Sequence, residues 1–257
     1  SSSVIFDIAI QSDGKILIGG NFGYTGDSNT NTRRIGRLNA DGTVDATFTL
    51  PIASQPTATV YRILAQSDGK MLIAGDFTQI SSTIRGRIAR LNSGGSLDGA
   101  FNPPAGANGP IYGLDRQSDG KVLVGGTFTQ LNGSNSQVRL GRLNSDGSLD
   151  TSFSPTANNT VNSIKVQPDG KILIGGIFSS IGATARASIA RLNANGSLDN
   201  SFAAAATATV VNINLQSDGK ILIGGDFTEI NNISRITVAR LLNSFAPART
   251  AYDYDGD

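Results

Sequence analysis

Cysteine and histidine are both absent from the 257 residues. Without cysteine there is no disulfide, no thiol nucleophile and no thiolate metal site. Without histidine the usual general base near neutral pH is missing, and so is the commonest zinc ligand. Tryptophan is absent, and aromatic residues make up only 6% of the chain, so stacking platforms are scarce. Glutamate occurs once, as Glu229, among 20 acidic residues. A glycosidase needs two differently tuned carboxylates, and most of the aspartates here fall in turns or recur with a fixed period. The formal net charge is +1, which gives no electrostatic reason to expect nucleic acid or an anionic membrane as partner. No apolar run approaches the length of a transmembrane helix. The first residues show no signal-peptide pattern. These absences lead to the expectation of a non-catalytic protein without a resident cofactor, bound to no nucleic acid and not inserted in a membrane.

What is present is repetition. The stretch QSDGKILIGGNF (11–22) returns as QSDGKMLIAGDF (66–77), QSDGKVLVGGTF (117–128), QPDGKILIGGIF (167–178) and QSDGKILIGGDF (216–227). Its Asp-Gly anchors, Asp13, Asp68, Asp119, Asp169 and Asp218, lie 55, 51, 50 and 49 residues apart. A second anchor, Arg-Leu, follows in the same order at Arg37, Arg90, Arg142, Arg191 and Arg240. Each unit reads as an apolar strand, an Asp-Gly hairpin turn of the two-residue I′ kind, and a continuously apolar strand expected to be buried on both faces. A third strand carries the Arg-Leu pair. A Gly-containing second turn and a short element ending in Asp-x-x-Phe complete the unit. No helical period occurs. A lone small antiparallel sheet leaves a face uncovered, and packing such sheets around an axis covers it. The expected fold is therefore all-β, a five-bladed β-propeller of about fifty-residue repeats. A β-solenoid is the alternative architecture.

The expected organisation is one propeller over 1–247, followed by an acidic tail, 248–257. The fifth unit lacks the Asp-x-x-Phe element, so either the ring closes on a short blade or the two termini share one. An unpaired edge would invite another chain.

The strings "QPDGKILIGG.F" and "RIARLN.DGSLD..F" resemble the bacterial delta-sixty repeats, a β-propeller domain of unknown function. The resemblance spans roughly residues 4–243. It implies a module of a bacterial extracellular or cell-surface protein and no reaction. The tail from Phe245 to Asp257 resembles the lead-in to an FG-GAP-like or dockerin-like calcium loop. That resemblance would make Asp253, Asp255 and Asp257 the first oxygen ligands of a calcium ion, without the closing carboxylate such loops need. A solvated acidic tail is the plainer alternative.

Two repeated features invite sharper readings. Lys15, Lys70, Lys121, Lys171 and Lys220 would form a ring of positive charge in a propeller, but turn chemistry explains them as solvated residues leaving a hairpin. Arg37, Arg90, Arg142 and Arg191 each precede an aspartate by eight residues, at Asp45, Asp98, Asp150 and Asp199. These pairs read as structural, bidentate and partly buried. The Gly-Gly pairs lie within strands, which suits a bulge or close backbone approach better than a phosphate loop. Two rows of phenylalanine read as core between blades.

Function then falls to what breaks the repeat. The exceptional carboxylates are Asp7, Asp27, Asp76, Asp115, Asp226 and Glu229. The variable segments 23–33, 50–60, 102–110 and 131–137 are rich in Ser, Thr, Asn and Gly. They supply the candidate binding residues Tyr24, Asp27, Asn29, Tyr61, Tyr112, Asn132 and Asn135. The expected role is a structural or interaction scaffold whose partner is protein, including copies of itself. A glycan- or peptide-binding propeller is the alternative.

Overall fold

The computed structural model describes residues 4–22, 34–48, 59–80 and 83–243. It forms five blades, each a three-stranded antiparallel sheet in which the middle strand pairs with both others. The innermost strands are Val4–Ile10, Val60–Ala65, Ile111–Arg116, Val161–Val166 and Val210–Leu215. The middle strands are Ile16–Asn21, Met71–Gly75, Val122–Gly126, Ile172–Gly176 and Ile221–Gly225. The outer strands are Ile35–Leu38, Ile88–Leu91, Leu140–Leu143, Ile189–Leu192 and Val238–Leu241. Each innermost strand packs along the next, from the first blade to the fifth. The chain is thus a five-bladed β-propeller, as its period requires.

The first turn of each blade differs from the expectation. Gly14 N–H bonds to Gln11 carbonyl and Gln11 N–H to Lys15 carbonyl, with Gly14 at φ +82°. Asp13 is not in the left-handed region. This is a β-turn closed by a left-handed glycine, a three-residue connection rather than a two-residue I′ turn. The aspartate serves differently: its Oδ1 accepts the Lys15 N–H at 3.1 Å, and the bond recurs in all five blades. The expected fourth element is a single bridge, such as Leu38 to Val44, not a strand. Short ribbons also occur between the middle and outer strands. Gln79–Ile80 pairs with Thr83–Ile84, Ser180–Ile181 with Thr184–Ala185, and Glu229–Ile230 with Ile233–Ser234.

The middle strands of the second, third and fourth blades are doubly buried, as their continuous apolar pattern predicts, while Leu222, Gly224 and Gly225 of the fifth are only half-buried. Both phenylalanine rows lie in the core; Phe77, Phe101, Phe128, Phe153, Phe178, Phe202 and Phe227 are fully buried. Cores form between blades rather than within them. Leu72, Ala74 and Ile88 of the second blade pack with Ile111, Leu114 and Phe128 of the third.

Charge locks the perimeter. In the first four blades the repeated arginine donates from Nε to its aspartate Oδ2 at 2.7–2.8 Å. The repeated lysine reaches the same oxygen at 2.8–3.0 Å. These four lysines are therefore neither a free anion ring nor simply solvated, Lys220 lies 3.5 Å from Asp218 of its own turn, and the arginine contact is single-pointed rather than bidentate. The arginine's Nη1 instead crosses to the next blade. Arg90 reaches Ser145 carbonyl at 2.9 Å, Arg142 reaches Ala194 carbonyl and Arg191 reaches Asn243 carbonyl at 2.6 Å, and Arg37 bonds Ser93 carbonyl. Each guanidinium also lies 4.4–5.2 Å from the centroid of a buried phenylalanine ring. One side chain thus ties two blades and covers a core residue. In the fifth blade, Asp218 feels the charges of Lys220 and Arg240.

Candidate functional site: the axial channel and its aromatic mouth

The five innermost strands line a channel of about 380 Å3. Each of these strands carries a bulge at the same place. In the first blade Ile5 faces Gly20 and Asp7 faces Gly19, which leaves Phe6 unpaired. By the same register shift the unpaired residue is Tyr61 in the second blade, Tyr112 in the third, Asn162 in the fourth and Val211 in the fifth. The Gly-Gly pair makes the bulge possible. A Cβ on Gly126 would sit 2.0 Å from Pro110 carbonyl oxygen, and one on Gly225 equally close to Thr209 carbonyl oxygen. The close backbone approach inferred from sequence is what these glycines allow.

A bulge re-aims its side chain. The five bulge residues share one end of the innermost strands, and three consecutive ones are aromatic. Phe6 and Tyr61 have ring centroids 5.2 Å apart in an edge-to-face contact; Tyr61 and Tyr112 are 5.0 Å apart and tilted by 58°. Burial pushes both tyrosine hydroxyls above their ordinary pKa; the Asp76 carboxylate adds to this at both, with Tyr112 also contributing at Tyr61. Arg62 lies next to the arc and donates to Asn162 carbonyl at 3.3 Å, across the axis from the second blade to the fourth. The opposite mouth, ringed by the Asp-Gly turns, widens into a cavity of about 620 Å3 bordered by Leu64, Asp115, Gln117, Val166 and Gln167.

Two of the exceptional carboxylates lie on the innermost strands, Asp7 in the channel and Asp115 at its wider mouth. Asp7 Oδ2 accepts the Ile63 N–H at 2.8 Å, and Asp115 Oδ2 accepts the Val166 N–H at 2.7 Å. Ser163 Oγ plays the same part for the Ile213 N–H at 3.0 Å. The reason is elementary. An innermost strand has no sheet neighbour on its axial side, so its inward N–H groups need side-chain partners. Each partner comes from the preceding blade. The remaining oxygens of Asp7 and Asp115 accept the N–H of the following residue, Ile8 and Arg116. Burial raises the pKa of both acids, opposed by these hydrogen bonds and by nearby Arg62 and Lys165.

The candidate residues divide accordingly. Tyr61 and Tyr112 are brought into contact, and Phe6, which the loop-based reading missed, joins them. Aligning the repeats on Asp-Gly would have found it, since Phe6, Tyr61 and Tyr112 all stand seven residues before their anchor. Asn132 is held by the backbone: its Oδ1 accepts Gly106 N–H at 3.0 Å and its Nδ2 donates to Gly147 carbonyl at 2.9 Å. Asn135 is exposed in the same turn. Tyr24, Asp27 and Asn29 lie outside the described residues, as do Asp253, Asp255 and Asp257 of the tail. Among the described residues no cluster of acidic side chains is arranged to hold a metal ion, and no helix is long and apolar enough to cross a membrane.

An open-centred ring of repeated sheets with asymmetry at its axis defines a β-propeller. The chain belongs to the family described as "Domain of unknown function (DUF5122) beta-propeller", whose model matches residues 11–48, 66–101, 117–153, 167–202 and 216–244. No curated protein matches it in sequence. Solved structures share its fold at low identity. The WD40 β-propeller domain of Doa1 is 17% identical with a TM-score of 0.59, over 93% of this chain and 69% of that one. The WD40 domain of Pan2 from Neurospora crassa is 12% identical with a TM-score of 0.57, over 96% of this chain and 65% of that one. XC5397, a gluconolactonase from Xanthomonas campestris, is 14% identical with a TM-score of 0.55, over 86% and 69%. The chain therefore spans about two thirds of the length of these propellers.

Proposed function

We propose that this chain is a non-catalytic interaction scaffold that binds a polypeptide segment at the aromatic mouth of its channel, as a module of a bacterial extracellular or cell-surface protein. The observation that carries the reading is the contiguous arc of Phe6, Tyr61 and Tyr112 on bulges of three adjacent blades. Aromatic side chains with an arginine beside them are the groups enriched where proteins meet. Tyrosine offers an apolar face and a polar tip with few torsions to freeze. Against catalysis stands the use of the channel acids. Asp7 and Asp115 each satisfy two backbone N–H groups, a structural task that accounts for both acids at the axis. The cellular location rests on the resemblance of the repeats alone.

A glycan is the second reading, favoured by the ring of hydrogen-bonding and aromatic groups at one mouth. Peptide and glycan arrays probed with the intact chain and with Tyr61→Ala/Tyr112→Ala separate the two. Peptide binding that the double variant loses supports the proposal. Glycan binding alone, lost in the same variant, moves it to the second reading. Turnover of gluconolactone or a glycoside by the intact chain, abolished by Asp115→Ala, would sink the non-catalytic reading. Surface labelling of the producing cell with an impermeant amine reagent tests the location.

A further inference from the structure

One packing rule governs every formed junction between blades. Two branched side chains of an innermost strand, eight and five residues before the Asp-Gly anchor, enter a socket on the preceding blade. The socket floor is the first residue of the Gly-Gly pair in three of the four junctions, and Ala74 at the second-to-third one. A Cβ on Gly175 would come within 2.6 Å of Val210 and 3.0 Å of Ile213; one on Gly125 would come within 2.6 Å of Val161 and 3.1 Å of Ile164; one on Gly19 would meet Val60 and Ile63 at 2.8–2.9 Å. The socket walls are a leucine of the middle strand and the first residue of the outer strand, as Leu173 and Ile189 are for the fifth blade's pair.

The first and fifth blades each carry one unfilled half of this junction. Ile5 and Ile8 hold the two knob positions of the first blade and are 50% and 59% exposed. Their counterparts in the other four blades are at most 8% exposed. Gly224 is the fifth blade's socket floor, and among the described residues the nearest atom to a Cβ there is its own blade's Thr237 oxygen at 3.8 Å. Val238, its socket wall, is 62% exposed, whereas Ile35, Ile88, Leu140 and Ile189 are fully buried. Val4–Ile10 and Val210–Leu215 do not pack along each other as every other successive pair does.

We infer that this gap between the fifth and first blades is a docking surface for one further blade of the same repeat pattern. Such a blade presents a Val/Ile pair to Gly224 and its own glycine floor to Ile5 and Ile8, which continues the established interface on both sides. A single repeat carries both complementary halves, the branched pair and the glycine floor, and is the smallest unit that completes both faces. The inference is independent of the aromatic mouth.

The test uses the chain's own register. Residue 243 occupies the repeat position of 194, so a second copy of 195–243 inserted directly after Asn243 supplies a sixth blade without a register shift. The six-repeat protein is expected to melt about 5–10 °C above the intact chain. Gly224→Val should leave the melting point of the five-repeat chain unchanged and cancel the gain in the six-repeat one. An insertion that folds but adds no stability overturns the inference. Should the insertion fail to fold, hydroxyl-radical footprinting of the unaltered chain decides. Ile8 and Val238 are expected to oxidise many times faster than Ile164 and Ile189. Protection of Ile8 and Val238 in a monomer would mean that the ring shuts on itself, and protection that grows with protein concentration would mean a second copy; either result overturns the proposal.

Discussion

The perimeter and the axis of the propeller are built from the same five repeats, yet they follow opposite rules. At the perimeter the same arginine, lysine, aspartate and phenylalanine recur in four blades with contacts that differ by only tenths of an ångström. At the axis the equivalent bulge position is Phe6, Tyr61, Tyr112, Asn162 and Val211. Repetition at the rim follows from geometry, because every junction presents the same problem. Variation at the axis is tolerated because each side chain there meets different neighbours, and the axis thereby offers an asymmetric surface to a partner.

Breaking the perimeter should have the largest effect. Asp150 sits between Arg142 and Lys121, and Arg142 is buried. Asp150→Ala leaves that guanidinium in the seam without its counter-charge, which costs about 3–5 kcal/mol. Urea denaturation should show a midpoint lowered accordingly with an unchanged slope. An effect under about 1 kcal/mol would mean that the rim pairs behave like exposed ones.

Acid probes all four rim carboxylates together. Lys15 and Thr47 hold Asp45 well below the carboxylate range. Burial works against Asp98, but Lys70 and Arg90 outweigh it and hold it at about 2. Burial likewise opposes Asp150 and Asp199, and their serine and lysine partners win. For acids whose folded pKa is depressed, the stabilisation is complete above the unfolded value of about 3.9 and fades as pH falls through the folded one. Stability should therefore hold down to about pH 4 and fall steeply towards pH 2, as thermal melts across that window would show.

A smaller effect is expected at the aromatic mouth. Tyr61→Ala/Tyr112→Ala removes two ring contacts worth about 0.5–1.5 kcal/mol each beyond their burial. The melting point should drop by less than in Asp150→Ala, while partner binding is lost. A double variant as unstable as the rim variant would mark the arc as core.

Much of this fold is legible in the sequence because its signals are local and recur five times. The Asp-Gly anchors, the doubly apolar strands and the phenylalanine rows each fall where the repeat puts them. What stayed hidden depends on distant or backbone geometry. The Lys121–Asp150 contact joins residues 29 apart, so turn chemistry alone assigned the lysine to solvent. The bulge is a shift of register, which leaves apolar periodicity almost unchanged; the Gly-Gly pair was its only trace. Exceptional carboxylates were legible as exceptions, and Asp7 and Asp115 do lie at the axis, but their task there is to satisfy strand edges. Of the described loop candidates, Tyr61 and Tyr112 meet at the axis, whereas Asn132 answers to the backbone of 106 and 147.

The finest probe of the comparison is one buried axial acid, where the sign should reverse. Burial raises the pKa of Asp115, against the pull of its hydrogen bonds to Val166 and Arg116 and the charge of Lys165. For an acid with a raised folded pKa, stability is fully present below the unfolded value and is lost as pH rises through the folded one. Asparagine keeps one carbonyl oxygen for the Val166 N–H and sheds the buried charge. Asp115→Asn should therefore match the intact chain near pH 4 and gain on it towards pH 7, by less than any rim variant loses. Asp115→Ala should lose stability at both values, because the Val166 N–H is then left buried without a partner. A rim-like loss in Asp115→Asn that deepens on acidification would show that axis and perimeter obey the same electrostatics after all.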